Sequence, residues 1–229
     1  MTQALPREEI DLGEGVTTFV LLLLLLLSLT GSIAAAEWTE GLSILSWAAL
    51  GGLVFGWTLA KIRRLRGVFA HLAALLLAVP VTTLLVASLL SGALTLEEKW
   101  IVLQDRVVKW LLKISAGGSG SDNLIFVIQL TLLTWLLAYS AAWFVYRRRQ
   151  VWGALLPSGI ALLINLFYAA PQANLYFGMY LLGALLLLAR LNLLTLERGW
   201  RTAAIGYTTD IHFDFMWYGA LFAFLLLFA

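Results

Sequence analysis

The sequence predicts an all-α fold, a polytopic membrane helix bundle of about seven transmembrane helices with one further amphipathic helix lying in the interface. Three observations predict it. Hydrophobic residues make up 62% of the chain and charged residues 12%, against about 25% charged in soluble domains. The mean hydropathy is +0.91. Apolar stretches of roughly 20 residues recur along the chain, each long enough to cross about 30 Å of hydrocarbon. The connections between several of them are very short, and a chain in lipid must satisfy its own backbone hydrogen bonds, so hairpinned helices are the economical solution. The 229 residues leave little outside these spans, and one membrane domain is expected.

In order, residues 1–15 form a polar, acidic tail expected in the cytoplasm, with Glu8, Glu9, Asp11 and Glu14 against Arg7. The first span covers about 16–36 and contains the unbroken run Leu21 to Leu27. Ala34, Ala35 and Ala36 would suit a signal-peptide cleavage site, but the segment before the apolar run is acidic where a signal peptide is basic, which favours an uncleaved span. Trp38 in the following short loop reads as an interfacial anchor. The second span, about 42–60, carries Gly52 and Gly56, a small-xxx-small pair that lets another helix approach closely. Lys61, Arg63, Arg64 and Arg66 follow it as the densest basic cluster.

The third span, about 68–90, holds Pro80 near its middle, where the missing backbone donor favours a kink. His71 reads as a ligand or proton carrier on one view and as a headgroup-level residue on the other; its place about a turn beyond Arg66 favours the second. Residues 96–113 differ in kind. Leu96, Trp100, Leu103, Val107, Trp110 and Leu111 recur on one helical face, with Glu98, Asp105, Arg106, Lys109 and Lys113 on the other. Such a helix lies in the interface with its tryptophans inward, or docks on a partner protein. The Gly- and Ser-rich stretch 116–121 is a flexible link, after which Ser121 or Asp122 caps the next helix.

The fourth span, about 123–146, ends at Arg147, Arg148 and Arg149. The fifth, about 151–168, contains Pro157, Ser158 and Asn165, and the amide of Asn165 must find a partner inside the bundle. The sixth covers about 174–194 and ends around Arg190, read as snorkelling to the cytoplasmic interface. A seventh, about 213–229, stops in Leu-Leu-Leu-Phe-Ala without the anchors expected where a helix leaves the bilayer, so the sequence is expected to be the front part of a longer product. Alternation gathers Arg7, the Lys61 to Arg66 cluster, the Arg147 trio and Arg190, Arg198 and Arg201 on one side, eleven of the 15 Lys and Arg. The excess places that side, with the N-terminus, in the cytoplasm and the C-terminus outside a bacterial inner membrane. The basic residues thus read as topological signals rather than a nucleic-acid patch.

There is no cysteine, which removes disulfides, thiolate metal sites and Cys nucleophiles. Asp210, His212 and Asp214 make a weak metal candidate without a fourth ligand, and capping of the last span explains the carboxylates more simply. No acid or lysine falls at a span centre and no internal repeat stands out, which counts against a transporter. The 10 Trp, 7 Tyr and 12 Phe furnish interfacial belts and also suit packing against lipids, pigments or other membrane subunits.

Three blocks, AEWTEGLSIL at 36–45, the segment 141–192 from AAWFVYRRRQ to LLARLN, and GYTTDIHFDF at 206–215, resemble the N-terminal membrane domain of bacterial transglutaminase-like membrane proteins. The resemblance implies an extracytoplasmic module with a Cys-His-Asp constellation after this domain. None of its catalytic residues maps onto the present chain, which lacks cysteine. Two roles follow as expectations: a non-catalytic membrane anchor for such a module, or an accessory scaffold subunit of a larger respiratory or photosynthetic membrane complex. No resident cofactor is expected, with a bound lipid, quinone or pigment left open.

Overall fold

A computed structural model describes residues 12–62, 64–118, 122–168, 174–203, 217–219 and 221. In this structure α1 spans Leu12–Ala35, α2 Ile44–Lys61, α3 Gly67–Ala87, α4 Leu96–Ser115, α5 Asn123–Ala142, α6 Trp152–Tyr168 and α7 Asn174–Thr202. The chain of α5 continues through a π-helical turn, Trp143–Arg148. No strand occurs among the described residues.

Five helical segments are long and apolar enough to cross a membrane: Gly15–Ala35, Ile44–Lys61, Gly67–Ala87, Asn123–Arg148 and Leu175–Glu197. They are consistent with a multi-pass membrane protein. The count of seven is not reached among the described residues. At 17 residues, α6 measures about 26 Å, short of a hydrocarbon core of about 30 Å. The expected span 213–229 lies outside the described residues except for helical positions 217–219 and 221. Residues 1–11 of the acidic tail and Arg63 also lie outside them, while residues 12–15 of that tail belong to α1. The helix expected to end near residue 194 runs on to Thr202, because Leu193, Leu196 and Glu197 continue its pattern past Arg190.

Packing follows the rule for helices in lipid, where an apolar side chain gains little by leaving acyl chains for protein and close backbone approach decides. Helices α2 and α5 make the most extensive contact, along their whole length. A Cβ at Gly52 would collide with the carbonyl oxygen of Trp135, and one at Gly56 would lie 2.6 Å from that of Tyr139 and 2.8 Å from the Ala142 methyl. Gly51 leaves room for the Trp135 ring in the same way. On the other side of the bundle α1 packs on α7, where Gly183 meets Leu24 and Leu25.

Buried polar groups tie the layers together. Asn165 on α6 donates to Ser32 Oγ on α1 at 2.8 Å, which provides the partner its amide requires. Thr30 on α1 and Ser46 on α2 share a bond of 3.1 Å. Tyr180 on α7 donates to the Leu155 carbonyl of α6 at 2.7 Å, with Ser158 Oγ 2.9 Å from the phenol oxygen. Trp135 donates through its indole to the Ala74 carbonyl of α3 at 3.2 Å.

The end of α5 brings the basic clusters together. Arg147 donates to the carbonyls of Ile62 and Leu65, in the connection between α2 and α3, at 3.4 and 3.1 Å. Lys61 sits 3.5 Å above the Trp57 ring, and Arg64, Arg66, Arg148 and Arg149 are exposed at the same end. Arg149 closes the π-helical turn in the left-handed conformation, with φ of 56°. Gly56→Leu places a branched side chain against the α5 backbone. It is expected to destabilise the bundle by at least 1–3 kcal/mol, roughly the cost of overpacking, whereas Gly92→Ala, which meets open space, is expected to be silent. Thermal unfolding of both variants in the same detergent checks this.

Candidate functional site

The surface with most chemical character lies at the end of the bundle opposite the basic clusters, where α4 folds back over α3 and α5. Its helix is fixed from the first residue. Thr95 Oγ1 accepts the Glu98 N–H at 3.3 Å while Glu98 Oε2 accepts the Thr95 N–H at 2.7 Å, a reciprocal capping box. These bonds, the backbone one foremost and the Thr95 hydroxyl second, hold the Glu98 carboxyl below its ordinary pKa. The middle of α4 is tied to the start of α5 by one carboxylate. Asp122 accepts the N–H groups of Leu124 and Ile125 at 2.8 and 3.2 Å, capping α5, and pairs with Arg106 of α4 at 3.3 Å. Lys109 and Asp105 add an exposed pair four residues apart, worth about 0.3–0.5 kcal/mol.

The apolar face of α4 is shared unequally. Leu103 is 4% exposed and packs with Leu42, Ile44, Leu45, Val86, Ala87 and Val127 in a buried cluster. Val107 and Trp110 are half-buried, while Leu96, Trp100 and Leu111 are exposed. The bundle receives one apolar ridge around Leu103, and α4 is too wide a helix for α3 and α5 to cover the rest. Ile101, Val108, Leu112 and Ile114 are exposed as well.

Two hollows flank α4. A polar bowl of about 770 Å³ lies between the α1–α2 connection, Arg106 and the start of α5, with Glu37, Thr39, Glu40 and Asn123 on its wall. Glu37 adopts a left-handed backbone, with φ of 50°. On the other side of the Leu103 ridge is a groove of about 520 Å³ between α3, α4 and α5, nearly all apolar. No cluster of three or more His, Cys, Asp and Glu side chains that would hold a metal occurs among the described residues. The Asp210, His212 and Asp214 candidate lies outside them.

Several features stand away from α4. His71, exposed near the start of α3, has partners on α5: its Nδ1 lies 2.9 Å from the Tyr139 hydroxyl, and its ring packs edge-on against Tyr139 and Trp143, at 5.8 and 5.1 Å between centroids. Arg190 does not snorkel. It is 5% exposed, and two turns further on Glu197 is 2% exposed, both on the face of α7 that buries Tyr180, Ala184, Leu187 and Leu193. Sequence reasoning passed over Glu197 altogether. The signal was there in the spacing, since 187, 190, 193 and 197 continue one helical stripe and put both charges on it.

No family model, no curated protein and no solved structure matches the chain. The fold and this surface define a class, a helical bundle consistent with a multi-pass membrane protein, with an amphipathic helix laid across one end.

The sign of the pH response at the capping box follows from the lowered Glu98 pKa. The stabilisation is present above the ordinary carboxylate pKa and is lost as pH falls through the lower, folded-state value. Hydrogen exchange, corrected for intrinsic rates, is expected to show the amides of residues 97–99 losing protection below that value in the native chain. Glu98→Gln, which retains a hydrogen-bonding side chain but does not titrate, is expected to remove that pH dependence.

Proposed function

We propose that this chain is a non-catalytic membrane scaffold whose working surface is the outward face of α4. The observation that carries the reading is the band of exposed apolar side chains, Trp100, Ile101, Val108, Leu111 and Leu112, on a helix capped at its start and tied to α5 through Arg106 at its middle. A capped, ion-paired helix presents such a band as a preformed patch, and apolar patches rimmed by charge mark protein or membrane contact sites. The partners are membrane lipids and another membrane protein subunit, with no nucleic acid. On this reading the bundle has seven spans in a bacterial inner membrane, the Lys61 to Arg66 and Arg147 clusters and the N-terminus face the cytoplasm, and α4 and the C-terminus lie on the outer face. The chain carries out no chemistry of its own.

The resemblance of segment 141–192 to transglutaminase-like membrane domains supports a second form of the same role, in which the docked element is an extracytoplasmic catalytic module. The two forms differ in what the membrane contains. Intact mass and C-terminal peptide mapping of the protein purified from native membranes separate them: an accessory subunit gives a mass near 25.3 kDa with a fixed-ratio partner. An anchor gives a larger product containing a Cys and a His.

In either form, crosslinks from residues 100 and 111 are expected to reach the docked element, and Leu111→Glu is expected to abolish them while the bundle melts as before. Crosslinks that reach only lipid in the native protein would end the scaffold reading.

A further inference from the structure

The exposed band of α4 has a period. Glu97, Ile101, Gln104, Val108, Leu111 and Ser115 follow one another at steps of 4, 3, 4, 3 and 4 residues, the heptad spacing with which two helices interlock. At about 100° per residue this stripe lies roughly a third of a turn round α4 from Leu103, the residue that packs into the bundle. Ile101, Val108 and Leu111 are 56%, 53% and 54% exposed, and Trp100 and Leu112 widen the stripe on its two sides. Gln104 stands exposed near its centre. An acyl chain has no use for the spacing or the amide, whereas a second helix uses both, since a polar residue within a heptad seam fixes register.

The stripe reads alike from both ends: 101 and 111, like 104 and 108, are equidistant from Arg106. A second copy of α4 laid antiparallel about that residue therefore sets Ile101 against Leu111 and Gln104 against Val108. It also leaves the two Gln104 amides about 6 Å apart along the helices, four residues at 1.5 Å each, within side-chain reach of one another. The charges agree with this direction. Glu97 and Glu98 open α4 and Lys113 stands in its last turn, so an antiparallel copy brings acids level with a lysine, where a parallel copy sets like charges together. Asp105, near the axis, is already paired with Lys109. The helix macrodipole favours acids first and bases last on any helix, but it has no bearing on the apolar spacing.

The placement of α4 gives the same direction. A two-fold axis that keeps both bundles pointing one way runs along the bundle, and it reverses any helix laid across the end. Trp100, Gln104 and Val108 also line the groove between α3, α4 and α5, so a helix along the stripe closes over it. We propose that two copies of this chain pair through α4, the helices antiparallel and in register about Arg106. The proposal rests on the reading of the outward face of α4 as a docking surface and names its occupant.

Single cysteines test it in the full chain, whose 229 residues contain none. Ile101→Cys and Leu111→Cys chains, co-expressed and oxidised with copper phenanthroline in their membranes, are expected to form a disulfide joining 101 of one copy to 111 of the other, while either chain alone stays unlinked. Gln104→Cys with Val108→Cys is expected to behave alike. Glu97→Lys in both chains is expected to lower the mixed yield about threefold, the loss of two exposed ion pairs. Adding Lys113→Glu is expected to restore it, although the macrodipole makes that double variant the poorest helix of the set. Links of 101 to 101 or 111 to 111 at the mixed yield, no link in either mixed pair, or a further fall in the double variant would overturn the proposal. Photocrosslinks from residues 100 and 111 tell its failure from that of the scaffold reading: a different protein at both positions ends this proposal alone, and lipid alone ends both.

Discussion

The contact on which the rest of this structure depends is the close approach of α2 to α5. Once Gly52 and Gly56 let the α5 backbone come within touching distance, Trp135 lies over Gly51, and Trp135, Tyr139 and Trp143 reach past α2 to α3. There Trp135 bonds the Ala74 carbonyl and Tyr139 meets His71. Phe55 completes the set, 5.9 Å from Trp135 and 6.4 Å from Tyr139. Ala70 and Ala74 of α3, both fully buried, are small because these rings lie against them. The three helices therefore form one unit in which glycine on one face sets aromatics on another. In lipid this matters more than the burial of leucine, which finds acyl chains as good a neighbour as protein.

The position of α4 depends on that unit through α5. Asp122 begins α5 by capping it and in the same place holds Arg106, so the start of α5 and the middle of the amphipathic helix share a carboxylate. Leu103 then finds its pocket among Val86, Ala87 and Val127. Both hollows beside α4 are consequences of this single ridge: a helix touching the bundle along one line leaves space on each side. One side takes its polarity from Glu37, Glu40 and Arg106, the other its apolarity from α3.

Much of this was legible in the sequence because each piece rests on a local pattern. Apolar length gave the main helices, the Gly52 and Gly56 spacing marked a close contact, and the two-faced run after Thr95 marked α4. What escaped depends on which neighbour a helix face meets. The stripe 187, 190, 193 and 197 puts Arg190 and Glu197 on one face of α7, but that this face turns into the bundle follows only once α7 packs on α1. The partner of His71 stands 68 positions away on another helix, which no local pattern reveals. The tryptophans of α4 could not be assigned to bundle or surroundings from periodicity alone, since both present an apolar environment. The count of spans was the least secure reading for a similar reason, α6 being apolar throughout yet only 17 residues long.

The account's central claim is that the chain crosses the membrane repeatedly with α4 at one end and the basic clusters at the other. The absence of cysteine makes one measurement clean. Ser91→Cys, in the connection leading to α4, and Arg64→Cys, in the basic cluster, each create the single thiol of these 229 residues at an exposed position. A membrane-impermeant maleimide applied to sealed vesicles of known sidedness is predicted to label one of them from outside and the other only after the vesicles are opened. Labelling of both from the same side would contradict the account.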